Sequence, residues 1–203
     1  MGAVPYFTAV IAKAGATWRT VDVDLEGAES LDELTELLRD ARRSGPVLAV
    51  LEREDDWFAL VRVDDDDEDA RSFVSDLAAT ERSHYADVLS PVGDVELAAY
   101  AHLRMPAPAA AAKQAPDVFA ADDELGAAQT AAPTSGNGVD GEPAPGAVAT
   151  PPAWAGDPGL LADVGVAADE LVELVDEREG DPASVIAVLG ERCGFDDLLD
   201  ALR

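Results

Sequence analysis

Two histidines, one cysteine and a run of six acids are the side chains here with the most obvious chemical potential. His84 follows Glu81-Arg82-Ser83 on a polar helical face, and His102 stands where the composition changes, so an exposed or capping role is expected of each. Cys193 immediately precedes Gly194 at a helix end, where a small, buried, apolar residue is expected. A single thiol can neither close an internal disulfide nor hold a metal without other ligands. The acids Asp64 to Asp69 could attract a hard cation, but an EF-hand loop needs spaced oxygens and a glycine at its sharp turn. A solvated hairpin loop is the expectation there. Arg71, Ser75 and Asp76 lie close in sequence and are the only hint of a small-molecule site, on the open edge of a sheet, although Asp76 also reads as a helix cap. The glycines from Gly136 to Gly146 have no strand before them and no Lys-Ser/Thr after them, so they are not a phosphate loop. No serine sits in a nucleophile elbow. No catalytic, cofactor-binding or metal-ligating residue is therefore assigned. Among the aromatics, Trp18 and Trp57 lie in hairpin strands and read as core or as partner-facing anchors. Trp154 precedes a helical stretch as a staple or an exposed anchor. These three are the candidate partner-contact residues.

The elements that must position these residues separate into three zones. Residues 1–103 read as an α+β sheet domain. Tyr6–Ala12 and Thr17–Val23 form a hairpin through Lys13-Ala14-Gly15-Ala16, and Asp22 and Asp24 alternate with Val21, Val23 and Leu25 as on a sheet with one wet face. Ser30 and Glu33 make a capping box, and Leu31, Leu34, Leu37, Leu38 and Ala41 keep helical spacing up to Gly45-Pro46. Val47–Leu51 is continuously apolar, as in a central strand buried on both faces, and Trp57–Val63 returns beside it. Arg71–Ser75 is the last strand, and Asp76 caps a helix running to about Leu89. The order is β-β-α-β-β-β-α, an antiparallel or mixed sheet with a helix on its dry face.

Residues 104–156 read as a disordered linker: Ala, Pro and Gly make up 29 of the 48 residues from Pro106 to Ala153. So few large apolar side chains cannot offset a backbone ordering cost of roughly 1–2 kcal/mol per residue. Residues 157–203 read as a satellite of three or four short helices, with Asp181-Pro182 opening one and Gly194 closing it. A segment so short is marginal alone and should dock on the first domain or on a partner.

The formal charge is −28 at pH 7, from 42 acids against 14 Lys and Arg, and it is spread over all three zones. A chain this acidic repels phosphate backbones, so direct nucleic-acid binding is excluded as an expectation. The start has no basic stretch followed by an apolar core, and no apolar run reaches the roughly 20 residues needed to span a bilayer. A cytoplasmic protein without membrane contact is expected.

The Tyr6–Val10 strand, the Val21–Leu25 arm, Leu31-Asp32-Glu33-Leu34, Trp57–Val63 and Phe73-Val74-Ser75-Asp76 with Tyr85 after it come in a recognisable order. Together with Gly156-Asp157, Leu160–Asp163, Glu170-Leu171 and Gly194-Phe195, they resemble the tRNA adenosine deaminase-associated proteins of high-GC Gram-positive bacteria. The resemblance covers both ordered zones and skips the linker. It implies association with a tRNA adenosine deaminase and carries over no catalytic residue. A zinc nucleobase deaminase needs His-x-Glu with Pro-Cys-x-x-Cys. His84 is followed by Tyr85-Ala86, His102 by Leu103-Arg104, and only one cysteine is present. The expected function is that of a non-catalytic accessory protein, not an enzyme, acting by protein–protein interaction and needing no cofactor. The alternatives are an acidic nucleic-acid mimic and a small-molecule-binding domain.

Overall fold

The computed structural model describes residues 6–53, 56–64, 69–94, 103 and 153–203. Its strands are β1 (Tyr6–Ala14), β2 (Thr17–Val21), β3 (Val47–Arg53), β4 (Trp57–Val63), β5 (Arg71–Val74) and β6 (Ala155–Gly156). They stand in the order β2-β1-β3-β4-β5-β6, and every neighbouring pair is antiparallel. The β-β-α-β-β-β order of the first zone and its α+β character are as the apolar pattern predicts, and the sheet is antiparallel rather than mixed. Strand β2 stops at Val21, two residues short of expectation.

The central strands have no wet face. On one side Val47, Ala49 and Leu51 of β3 and Ala59, Val61 and Val63 of β4 pack under α1 (Leu31–Ala41) through Leu34 and Leu38. On the other side Leu48, Val50, Phe58 and Leu60 meet the C-terminal helices α4 (Ala168–Glu177), α5 (Pro182–Cys193) and α6 (Asp196–Leu202). Double burial is why β3 is continuously apolar rather than alternating. It also decides the question the sequence left open: residues 153–203 dock on the first domain, with Leu171, Ile186, Leu189 and Phe195 against the sheet.

Local chemistry explains the element ends. Ser30 Oγ accepts from Glu33 N at 3.2 Å, but the Glu33 carboxylate accepts from Glu29 N at 2.8 Å, one residue before the cap. Asp76 caps as expected, its Oδ1 accepting from Ala79 N at 2.9 Å. The single helix expected from Asp76 to Leu89 is instead two single turns, α2 (Leu77–Thr80) and α3 (Ala86–Leu89), followed by a 3-10 turn over Ser90–Asp94. Thr80 Oγ1 donates to Leu77 O at 2.6 Å and Ser83 Oγ accepts from Tyr85 N at 3.1 Å, so local side-chain bonds replace helical ones. The break turns Tyr85 into the core, edge-on to Tyr6 and Trp57.

The expected linker reached Gly156, yet Trp154 packs in the core and Ala155-Gly156 form β6. This short strand pairs with Phe73 and Val74, so the β5 edge is covered rather than open. Residues 104–152 and His102 lie outside the described residues.

Candidate functional site

Arg62 is the one charge inside β4 and is 3% exposed on the face that receives the C-terminal segment. Its guanidinium is filled on every side. Nη1 and Nη2 donate to Asp163 at 2.5 and 2.8 Å, Nε and Nη2 donate to Asp64 at 2.8 and 2.6 Å, and Nη1 also reaches Leu160 O at 2.6 Å. Burial works against the charge, but the hydrogen bonds to Asp163 and Asp64 outweigh it and hold the Arg62 pKa above its ordinary value. The same bonds hold the Asp163 carboxyl below its ordinary range. One position along the sheet, Arg71 Nε donates to Asp157 at 2.6 Å. Glu52, 2% exposed, receives the guanidinium of Arg203. These pairs fasten the C-terminal segment to the sheet. A charged residue in an otherwise apolar strand is a legible sign of such a buried pair, though the sequence does not name the partner.

The three tryptophans are 7%, 0% and 3% exposed in chain order. Trp18 sets its indole N–H on Cys193 O at 3.0 Å and stands edge-on to Phe195, so it ties the end of α5 to β2. Trp57 packs against Tyr6 and Tyr85, which also meet each other, on the opposite face. Trp154 stacks on Phe73 at 6.0 Å between centroids. The fold places all three in the core, where their packing supports the structure. Cys193 is half-buried, and burial pushes its thiol up to about 11. His84 is exposed, with Nε2 3.4 Å from Glu26 O. Asp64, expected to be solvated, instead bridges Arg62 and Arg71.

Arg71, Ser75 and Asp76 do not converge. Arg71 turns to Asp157, while Ser75 Oγ accepts from Phe58 N at 2.9 Å. Ser75 and Asp76 do line a cleft of about 370 Å³ between the β4–β5 end of the sheet and the α4–α5 turn. Phe58, Trp154, Pro182 and Val185 form its apolar lining, and Asp56, Asp76, Asp176 and Glu179 surround them with Arg178. Burial and the neighbouring Glu179 push the Asp176 carboxyl above its ordinary range. Sequence reasoning missed Asp176 and Glu179, because acids on a helix end carry no mark that a sheet lies opposite. A second, shallower groove between β2 and α1 holds Arg19 and Arg43 beside Asp22 and Asp40. Among the described residues, no three His, Cys, Asp or Glu side chains are grouped to hold a metal ion.

A family model described as Rv3753c-like tRNA adenosine deaminase-associated protein matches residues 6–102 and 106–196. The chain belongs to that family. The match takes in most of the low-complexity stretch as well as both folded stretches, which is wider than the motifs alone indicate. No curated protein and no solved structure matches the chain. The family is described as deaminase-associated rather than as a deaminase. Among the described residues, no helix is long and apolar enough to cross a membrane.

Proposed function

We propose that this chain is a non-catalytic, cytoplasmic accessory protein that binds a tRNA adenosine deaminase by protein–protein contact. The observation that carries the reading is the family match, which spans both folded stretches and names the association. Two physical features support it. The sequence lacks the His-x-Glu and Pro-Cys-x-x-Cys that a zinc deaminase uses to activate water, so chemistry on adenosine would fall to the partner. Leu202, at 46% exposure, is the only large hydrophobic exposed among the described residues. Among the described residues that leaves charge as the more prominent surface feature, and an enzyme that grips tRNA must present cations to phosphate. A −28 chain complements such a surface, which raises the on-rate and disfavours wrong partners.

Copurification of the tagged full chain from its native cells, with the deaminase sought by mass spectrometry, tests the reading. The deaminase is expected in the eluate at low salt and should be lost as salt rises. An acidic nucleic-acid mimic would in addition displace tRNA from the deaminase in competition. Failure to recover the deaminase at any salt would defeat the proposal.

A further inference from the structure

Building on that accessory reading, we infer that the cleft between the α4–α5 turn and the sheet receives a basic side chain, arginine or lysine, of the partner protein. A cavity of about 370 Å³ is within the size range of pockets that enclose small groups. Its lining combines two surfaces that such a side chain needs. An aliphatic stem can lie along Pro182, Val175 and the edge of Trp154, while the cationic head meets carboxylates at the mouth.

The charge of the cleft is one-sided: Asp56, Asp76, Asp176 and Glu179 face a single cation, Arg178, which donates to Ser184 O at 3.2 Å. Asp56 is paired with Arg53 at 3.0 Å, and Asp76 has one oxygen on Ala79 N. Asp176 and Glu179 form no ion pair among the described residues. Partial burial holds the Asp176 carboxyl above its ordinary range, and repulsion from Glu179 adds to it. A cation placed between them relieves that repulsion. The groove beside β2 offers no such preference, because Arg19 and Arg43 offset Asp22 and Asp40. The anionic pairs at Arg62 and Arg71 are closed within the fold. Of the two clefts described, this is the one where an excess of acids coincides with a partly apolar cavity.

The test uses the full chain and the purified deaminase, titrated against each other at low salt. Asp176→Asn with Glu179→Gln should weaken the complex roughly tenfold and reduce its salt dependence. The paired control Asp22→Asn with Asp40→Asn, in the balanced groove, should leave affinity unchanged. All four side chains lie at exposed or half-buried positions, and a thermal melt of each variant confirms that it folds. A reversed charge, Asp176→Lys, should lose binding and regain it when one partner Arg or Lys is changed to Glu. Unaltered affinity in the Asp176→Asn, Glu179→Gln protein overturns the cleft assignment while the accessory reading stands. A wild-type chain that fails to bind the deaminase defeats the accessory reading itself. Spermidine that fills the cleft without displacing the deaminase also overturns the assignment, making the site one for a free polyamine.

Discussion

At the scale of single residues, Arg62 shows how a buried charge is made tolerable. Two carboxylates and a backbone carbonyl satisfy its donors, so removing the guanidinium leaves Leu160 O without that partner and turns two carboxylates toward each other. Arg62→Met is expected to cost about 2–4 kcal/mol, below the usual figure for a broken buried pair because both acids keep contact with water. Asp163→Asn should cost only about 1 kcal/mol, since that carboxylate is 54% exposed. The pH dependence follows from the direction of the shift. The folded-state pKa of Asp163 is depressed, so its contribution is present above the ordinary aspartate value and is lost as pH falls through the depressed one. Asp176 acts in the opposite sense, because its raised pKa makes its charge a cost that protonation removes as pH falls. Urea melts across the acid range separate the two: Asp163→Asn flattens the acid loss, whereas Asp176→Asn removes the opposing gain. Cys193 gives a further check. With its thiol pushed up to about 11, it should react with a thiol reagent at neutral pH roughly 100-fold more slowly in the folded chain than in urea. Equal rates would show that the thiol is not held in this environment.

At the scale of elements, the apolar pattern made β3, β4 and α1 legible, because each buries a regular set of side chains close in sequence. The same pattern could not reveal β6. A two-residue Ala-Gly strand has no periodicity, and its partners Phe73 and Val74 lie about eighty residues earlier. Gly156 shows what holds it there. At φ 90° and with an ideal Cβ 2.2 Å from Ser72 O and 2.7 Å from Val92 Cγ1, it admits no side chain. Gly156→Ala is expected to cost about 2–4 kcal/mol by strain and by forcing β6 off the edge. Gly180→Ala, at φ 79° but with open space around its Cβ, should cost only about 1 kcal/mol. Similar losses in both would point to backbone strain alone rather than close packing. The break between α2 and α3 was hidden for a related reason. Apolar spacing from Leu77 to Leu89 fits one helix, and only the bonds of Thr80 and Ser83 and the inward turn of Tyr85 redirect it.

At the scale of the whole molecule, the C-terminal helices complete the core of the sheet domain, with Leu171, Ile186, Leu189 and Phe195 sharing a cluster with Leu48 and Phe58. Their amphipathic faces were visible in the sequence, but a helix face does not name the surface it covers. A chain cut by an engineered protease site between residues 106 and 150 should therefore still run as one particle containing both fragments on a sizing column. Separation of the fragments in native buffer would show that the docking is weaker than this shared core implies. The candidate cleft was the least legible feature, since its lining comes from β4, the end of β5, the segment around Trp154 and the α4–α5 turn. Family membership points to association with a tRNA adenosine deaminase, and the proposed means of recognition is the excess of acids. Titration of the purified deaminase with the full chain at increasing salt tests that combination most directly. The account predicts a complex at low salt whose affinity falls steeply as salt rises, with no conversion of adenosine by the chain alone. Absence of a complex at every salt concentration, or turnover by the chain without its partner, would contradict it.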